Sequence, residues 1–178
     1  MVSEALLKET DEGLMPESDG WYVVNARDAR WWRSERLGQS AALEGEPEFP
    51  EVGLNIHVLF PGQPNGMYHG ESGQEDFLVL FGECILVLDG EEHQLKAWDF
   101  VHCPPMVEHI FVGAGDAPCG IVMAGRRRDR ESEEILYPVN EVAAKHDASV
   151  LEETRDPKEA YARFERGKLM RYREGWLP

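Results

Sequence analysis

His69, Glu71, Glu75 and His109 are residue types that bind metal ions, and the first three fall within seven positions of one another. On a β-strand, residues two apart share a face, so His69 and Glu71 project together. Glu75 opens the apolar run that follows the Ser72-Gly73 turn. His109 belongs to a distant run and reaches the same point only if the sheet closes on itself. Imidazole suits Zn, Cu, Fe or Ni, and carboxylates suit harder ions such as Mn. Two histidines with one or two carboxylates therefore fit a divalent metal ion: Mn or Fe(II), with Zn or Ni as alternatives. Such a set leaves coordination positions open for water or a substrate, as catalytic metal sites require. Two carboxylates packed side by side would otherwise repel until one took up a proton, and a divalent cation removes that conflict.

Each of these residues has a plainer reading. His69 and His109 read otherwise as polar barrel residues. Glu75 reads otherwise as an acceptor that fixes a histidine tautomer, and Glu71 as a general base beside the ion. Glu71 and Glu75 are the candidate catalytic bases. His57, on an apolar run, and His102, before a proline turn, read as core or rim histidines. His93 lies beside a hairpin and reads as solvent-exposed, and His146 carries no signal. No nucleophile arrangement competes. Ser72 and Ser132 lack a recognisable partner, and there is no Gly-x-Gly-x-x-Gly, Walker-type loop or Gly-x-Ser-x-Gly.

These residues need strands to position them. Residues 21–25 read as a first strand, and Trp31-Trp32 continues the sheet after a turn near Asp28. Adjacent tryptophans on a strand point to opposite faces, one toward the core and one toward a partner subunit, unless both serve local packing. Residues 44–50 form a turn region. Residues 54–60 form a strong strand stopped by Pro61-Gly62. Runs at 77–81, 84–88 and 92–96 follow, with Gly82 breaking the first pair and Asp89-Gly90 giving a tight hairpin between the second. Residues 99–103, 109–112 and 120–123 complete the set. Many short strands with Gly and Pro punctuation and no helices between them predict an all-β sandwich or barrel. Residues 77–80 and 85–88 are apolar on both faces, so this wall is covered inside and outside. A second subunit or the chain's own arms supply the cover, and we expect a homodimer.

Three stretches make up one domain. Residues 1–20 are polar and read as a loose arm, residues 21–125 as the barrel, and residues 126–178 as an extension with short helices packed on it. Arg126-Arg127-Arg128-Asp129-Arg130 reads as a solvated edge, with anion binding as the alternative. Asn140 caps a short helix through Lys145. Asp156-Pro157-Lys158-Glu159 starts a second, which runs to about Arg166 and stops at Gly167. Trp176-Leu177 docks the tail on the barrel exterior.

With 178 residues the chain encloses a sizeable core, and 42% hydrophobic residues fit a globular protein. The formal charge of −16, from 34 acidic and 18 basic residues, repels phosphate backbones and anionic lipid. We therefore expect a small-molecule ligand or substrate, with no nucleic acid and no membrane. Cys84, Cys103 and Cys119 form no Cys-x-x-Cys pair and sit in apolar stretches, as small buried hydrophobes do. No apolar run approaches the ~20 residues of a membrane span. The acidic start Met1-Val2-Ser3-Glu4 lacks a signal-peptide core, so the expected location is the cytoplasm.

At residues 50–125 the chain resembles the cupin superfamily. The first motif of that family is G-x5-H-x-H-x3,4-E-x6-G. Here His69-x-Glu71 is followed by Glu75 after three residues and by Gly82 after six more. The second is G-x5-P-x-G-x2-H-x3-N, and Pro104-x-Met106-x2-His109 matches its proline and histidine. Asp99-Phe100-Val101 resembles the start of that motif. Glu71 stands where the family has a second histidine, Met106 replaces a turn glycine, Gly113 replaces the asparagine, and Ala97-Trp98 replaces the glycine before Asp99. Pro61-Gly62 precedes His69 by one residue more than the motif expects. The resemblance implies a cupin-like antiparallel β-barrel (jelly roll), often dimeric, with a divalent metal ion. Its members range from dioxygenases and isomerases to regulators and storage proteins, so the fold leaves function open. Two readings follow: a metal-dependent enzyme of the oxygenase or isomerase type, or a non-catalytic module that holds a metal or small metabolite. A sugar-phosphate isomerase needs a basic cradle in the pocket, and residues 54–112 carry one lysine, Lys96, and no arginine.

Overall fold

Short runs separated by Gly, Pro and Asp turns fold, in the computed structural model of the chain, into strands with two single-turn helices. The structure describes residues 2–46, 48–127 and 134–178. β1 (Leu7–Thr10) and β2 (Gly13–Pro16) form a hairpin, followed by β3 (Arg30–Ser34), β4 (Gly38–Ala42) and β5 (Val52–Leu59). β6 (Gly70–Glu71), β7 (Glu75–Phe81), β8 (Glu83–Leu88) and β9 (Glu91–Lys96) come next. β10 (Phe100–Cys103), β11 (His109–Ala114) and β12 (Cys119–Arg126) complete the barrel wall. The last part of the chain adds β13 (Ile135–Leu136), α1 (Glu141–Ala144), α2 (Pro157–Ala160) and β14 (Lys168–Arg171).

All named strand pairings are antiparallel. One sheet runs β10-β7-β12-β5-β4-β3-β14, and a second runs β11-β8-β9. Side chains alternate in register between the faces of each sheet. The inward rows interlock as one core, with Phe77, Val79, Leu86, Phe111, Ile121 and Leu59 at its centre and all three cysteines among them. Burying each large apolar side chain contributes roughly 1.5–3 kcal/mol, so this layer holds the sheets together.

The apolar outer faces are covered largely by the chain itself. Ile85, Val87 and Ile110 lie under Tyr68, Val142, Ala143 and Ala148 around α1. Trp31, Ala41 and Val58 lie under Trp176 and Leu177 of the tail. Trp31 is fully buried there, whereas Trp32, on the opposite face, is 46% exposed. Local packing thus accounts for Trp31.

Several expectations need correction. Residues 1–20 are not wholly loose, because Asp11-Glu12 turns the chain into the β1–β2 hairpin. Residues 21–25 form no strand; Trp21 makes a single bridge with Glu4. The second C-terminal helix ends at Ala160 rather than near Arg166. Tyr161 leaves helical geometry at φ −99°, ψ 8°, and its hydroxyl accepts the Met67 N–H at 3.1 Å. That tertiary bond outweighs the helix signal, and the chain goes on to pair as β14. Both helix caps stand: Asn140 accepts from Val142 N and Ala143 N, and Asp156 from Lys158 N. Arg128-Asp129-Arg130 of the charge run, Ser132 and Pro47 lie outside the described residues.

Candidate metal centre

His69 and His109 sit directly opposite each other in a backbone bridge. The His109 N–H donates to His69 O at 2.8 Å, and the His69 N–H to His109 O at 3.3 Å. Directly opposed residues of an antiparallel pair place their side chains on one face, and the two rings lie 5.2 Å apart. Glu75 opens β7 on the facing sheet, where its Cα partners are Cys103 and Gly125. Its Oε2 is 3.4 Å from His109 Nε2. One donor atom from each of His69, Glu75 and His109 lies within 4.8 Å of the others.

Each imidazole is held by its own strand. His69 Nδ1 is 2.8 Å from Met67 O, and His109 Nδ1 is 3.0 Å from Val107 O. A carbonyl accepts only, so each Nδ1 carries the proton and each Nε2 keeps its lone pair, the tautomer a metal ligand needs. Burial lowers the pKa of both rings: His109, 2% exposed and facing His69, falls to about 4, and His69 shifts the same way. Both imidazoles are therefore neutral at pH 7. Phe77 packs 5.1 Å from the His109 ring. The donor set, two neutral imidazoles and a carboxylate, fits a divalent cation.

Glu71 lies outside this trio, at the wall of the same space. Its Oε1 approaches the α-carbon side of Gly73, where an added Cβ would meet it at 2.9 Å. Glu71 and Glu75 line a cavity of about 590 Å³ together with Asn55, Met123, Arg126 and Arg127. Arg127 is engaged by Glu44 at 2.6 Å and by Glu48. The Oδ1 of Asn55 is buried without a hydrogen-bond partner among the described residues.

The remaining histidines stand apart from the trio. His57 bonds Leu37 O through Nε2 at 3.1 Å. His102 pairs with Asp76 at the rim, His146 pairs with Glu92, and His93 is exposed. Lys96 pairs with Asp99 at 3.7 Å with its side chain in solvent. Sequence reading missed Tyr137 and Asn55. Buried Tyr137 stacks on His69 at 5.7 Å, and β13 just before it pairs with β6. No periodicity marks a contact between residues so far apart in the chain. Asn55 was readable only as one position of an apolar strand.

Residues 55–125 match the family model described as Cupin domain. No curated protein matches the chain. The polyketide cyclase RemF from Streptomyces resistomycificus superposes with a TM-score of 0.53 at 18% identity, covering 60% of this chain and 79% of that one. A predicted oxalate decarboxylase from Thermotoga maritima gives 0.53 at 18% identity, covering 60% and 100%. A sugar phosphate isomerase from a cupin superfamily in Silicibacter pomeroyi gives 0.47 at 25% identity, covering 62% of this chain and 66% of that one, just under two thirds of its length. The first two likenesses are likenesses of fold.

Proposed function

We propose that this chain, whose residues 55–125 form a cupin domain, is a metal-dependent enzyme of the oxygenase or isomerase type. His69, Glu75 and His109 would hold one divalent ion and a small organic substrate would enter at Asn55 and Glu71. The observation that carries the reading is the pair of fixed tautomers, which leaves both Nε2 atoms open as donors beside Glu75. Three protein donors leave positions free for a substrate. When bound, the ion would polarise a substrate oxygen as a Lewis acid. Phe77 and Tyr137, packed on the two rings, exclude water from them. Glu71, on the cavity wall, is the candidate base. The buried Asn55 Oδ1 is the candidate acceptor for a substrate hydroxyl or amine, because an unpaired buried acceptor costs roughly 1–3 kcal/mol and a ligand donor would remove that cost. The cavity has the size of small-molecule sites.

The reading includes a cytoplasmic setting, in keeping with three free, buried cysteines, and a homodimer. Phe100, Leu78, Val122 and Ile56 stand in one cross-strand row on the outer face of the seven-stranded sheet. Phe100 is 64% exposed, and Trp98 beside it is 74% exposed. Trp98 holds φ +77°, a strained region for a bulky residue. Strain kept at an exposed apolar side chain favours a surface role. A two-fold contact would lay this row against its copy.

Metal analysis of protein loaded with Mn, Fe(II), Zn or Ni tests the centre. We expect about one ion per chain, lost in His109→Ala while the far-UV spectrum stays unchanged. Refusal of all four ions by the wild-type protein removes the reading. Iron in the protein as isolated selects the oxygenase type. Zinc that admits no added ligand such as azide selects the non-catalytic module.

A further inference from the structure

In a chain of formal charge −16, six of the 18 cationic side chains line one groove of about 620 Å³: Arg33, Arg36, Arg163, Arg166, Lys168 and Arg173. Two carboxylates, Glu35 and Glu165, share it. It lies where β14, the last strand of the large sheet, meets the turn after β3, and it shares no residue with the metal centre or its cavity. Arg36 has an exposed pairing with Asp147, and Arg163 donates to the carbonyls of Asp147 and Ser149. Among the described residues, the side chains of Arg33, Arg166, Lys168 and Arg173 make no ion pair. Lys168 stands directly opposite Arg33 in the β14–β3 register, and like charges so placed destabilise a sheet. At the other end of the same strand pair, Arg171 also opposes an arginine, Arg30, but there Glu9 binds it at 2.6 Å. Among the described residues, no carboxylate makes an ion pair with Arg33 or Lys168 at the groove end, although Glu35 and Glu165 line it.

We propose that this groove binds a phosphorylated small molecule with an apolar or aromatic body. Guanidinium forks match phosphate oxygens two at a time, which favours phosphate where five arginines converge. Phe164, Leu169 and Met170 supply apolar lining for the rest of the ligand. The volume is that of small-molecule sites. A nucleic-acid chain extending beyond the groove would meet the acidic remainder of the surface.

Calorimetric titration at low salt, without added divalent ion, tests this with adenosine triphosphate, inorganic triphosphate and adenosine as probes. We expect saturable 1:1 binding of adenosine triphosphate, weaker binding of inorganic triphosphate, and none of adenosine. Raising the salt should weaken it, because exposed charges are screened. Binding should persist in His109→Ala, and Arg33→Ala with Lys168→Ala should lower the affinity at least tenfold. Lys168→Ala alone should raise the melting temperature slightly by removing the like-charge pair, which also shows that the variant folds. Absence of saturable binding overturns the proposal. So does unchanged affinity in the folded double variant, or loss of binding in His109→Ala, which would place the ligand at the barrel mouth.

Discussion

His57 and His109 both reside inside the barrel, but only His109 stands beside a carboxylate. Burial lowers the pKa of His57 to about 4, against the small opposing effect of the Leu37 carbonyl. In the unfolded chain an ordinary histidine takes a proton near pH 6.5. Between those values the unfolded state holds more protons, so stability falls as the pH drops from about 6.5 to about 4. His57 alone should cost about 3 kcal/mol by pH 4. Urea unfolding of metal-free protein at pH 7 and pH 4 should therefore show a smaller loss in His57→Gln than in the wild type. Equal losses would mean that His57 is already protonated in the native state. Glu75→Gln keeps the shape of the side chain but removes the negative charge of the donor set. Metal affinity should fall by more than the ~10–100-fold typical of residues that merely support ligands, as read by competition with a chelating dye.

The turns and strands around the site repeat this economy of position. Met106 holds φ +66° where the cupin motif has glycine, and its N–H donates to Glu71 O at 2.7 Å. A left-handed backbone costs a non-glycine residue roughly 1–2 kcal/mol, so Met106→Gly should raise the unfolding free energy by about 1 kcal/mol. Gly113, in place of the motif's asparagine, has the opposite constraint. A Cβ there would lie 2.3 Å from Phe60 O, so Gly113→Ala should destabilise by about 1–3 kcal/mol in the same assay. The sequence made such elements legible where alternation and turn chemistry agreed. β5, β7, β8 and β9 and the Asp89-Gly90 hairpin all follow from period and punctuation, whereas the direct opposition of His69 and His109 is a pairing between distant runs that no local period marks. β4, as Gly-Gln-Ser-Ala-Ala, has too little apolar contrast to show a period, and its strand character comes from pairing with β3 and β5. The helix read to about Arg166 stops at Ala160, because the pull of Tyr161 toward Met67 is a tertiary effect, and β14 beyond Gly167 was not legible at all, since its strand character comes from pairing with β3. The apolar double face at 85–88 was legible, but its cover by α1 and Ala148 was not, since either a copy or an arm would satisfy it.

For the molecule as a whole, Trp98 and Phe100 are among the large apolar side chains left exposed, and Phe100 continues a row of half-buried neighbours. Two such rings contribute roughly 150–250 Å² each when buried, so the rest of the row must join them to reach the ~1,200 Å² of a stable pair. Sedimentation at micromolar concentration should give a dimer, and the Trp98→Ser, Phe100→Ser double variant a monomer. A wild-type monomer throughout that range would dispose of the pairing. The covered part of the molecule has a history of its own. His69, Glu75 and His109 all precede Tyr137, whose ring stacks on His69. A ribosome adds about 5–20 residues per second, so the three donors leave it a second or more before that ring does. If the trio holds a metal as proposed, the nascent chain would meet the cell's exchangeable ions before Tyr137 covers His69. On the proposed reading, which ion the finished protein would carry is then partly a matter of what was at hand during that interval.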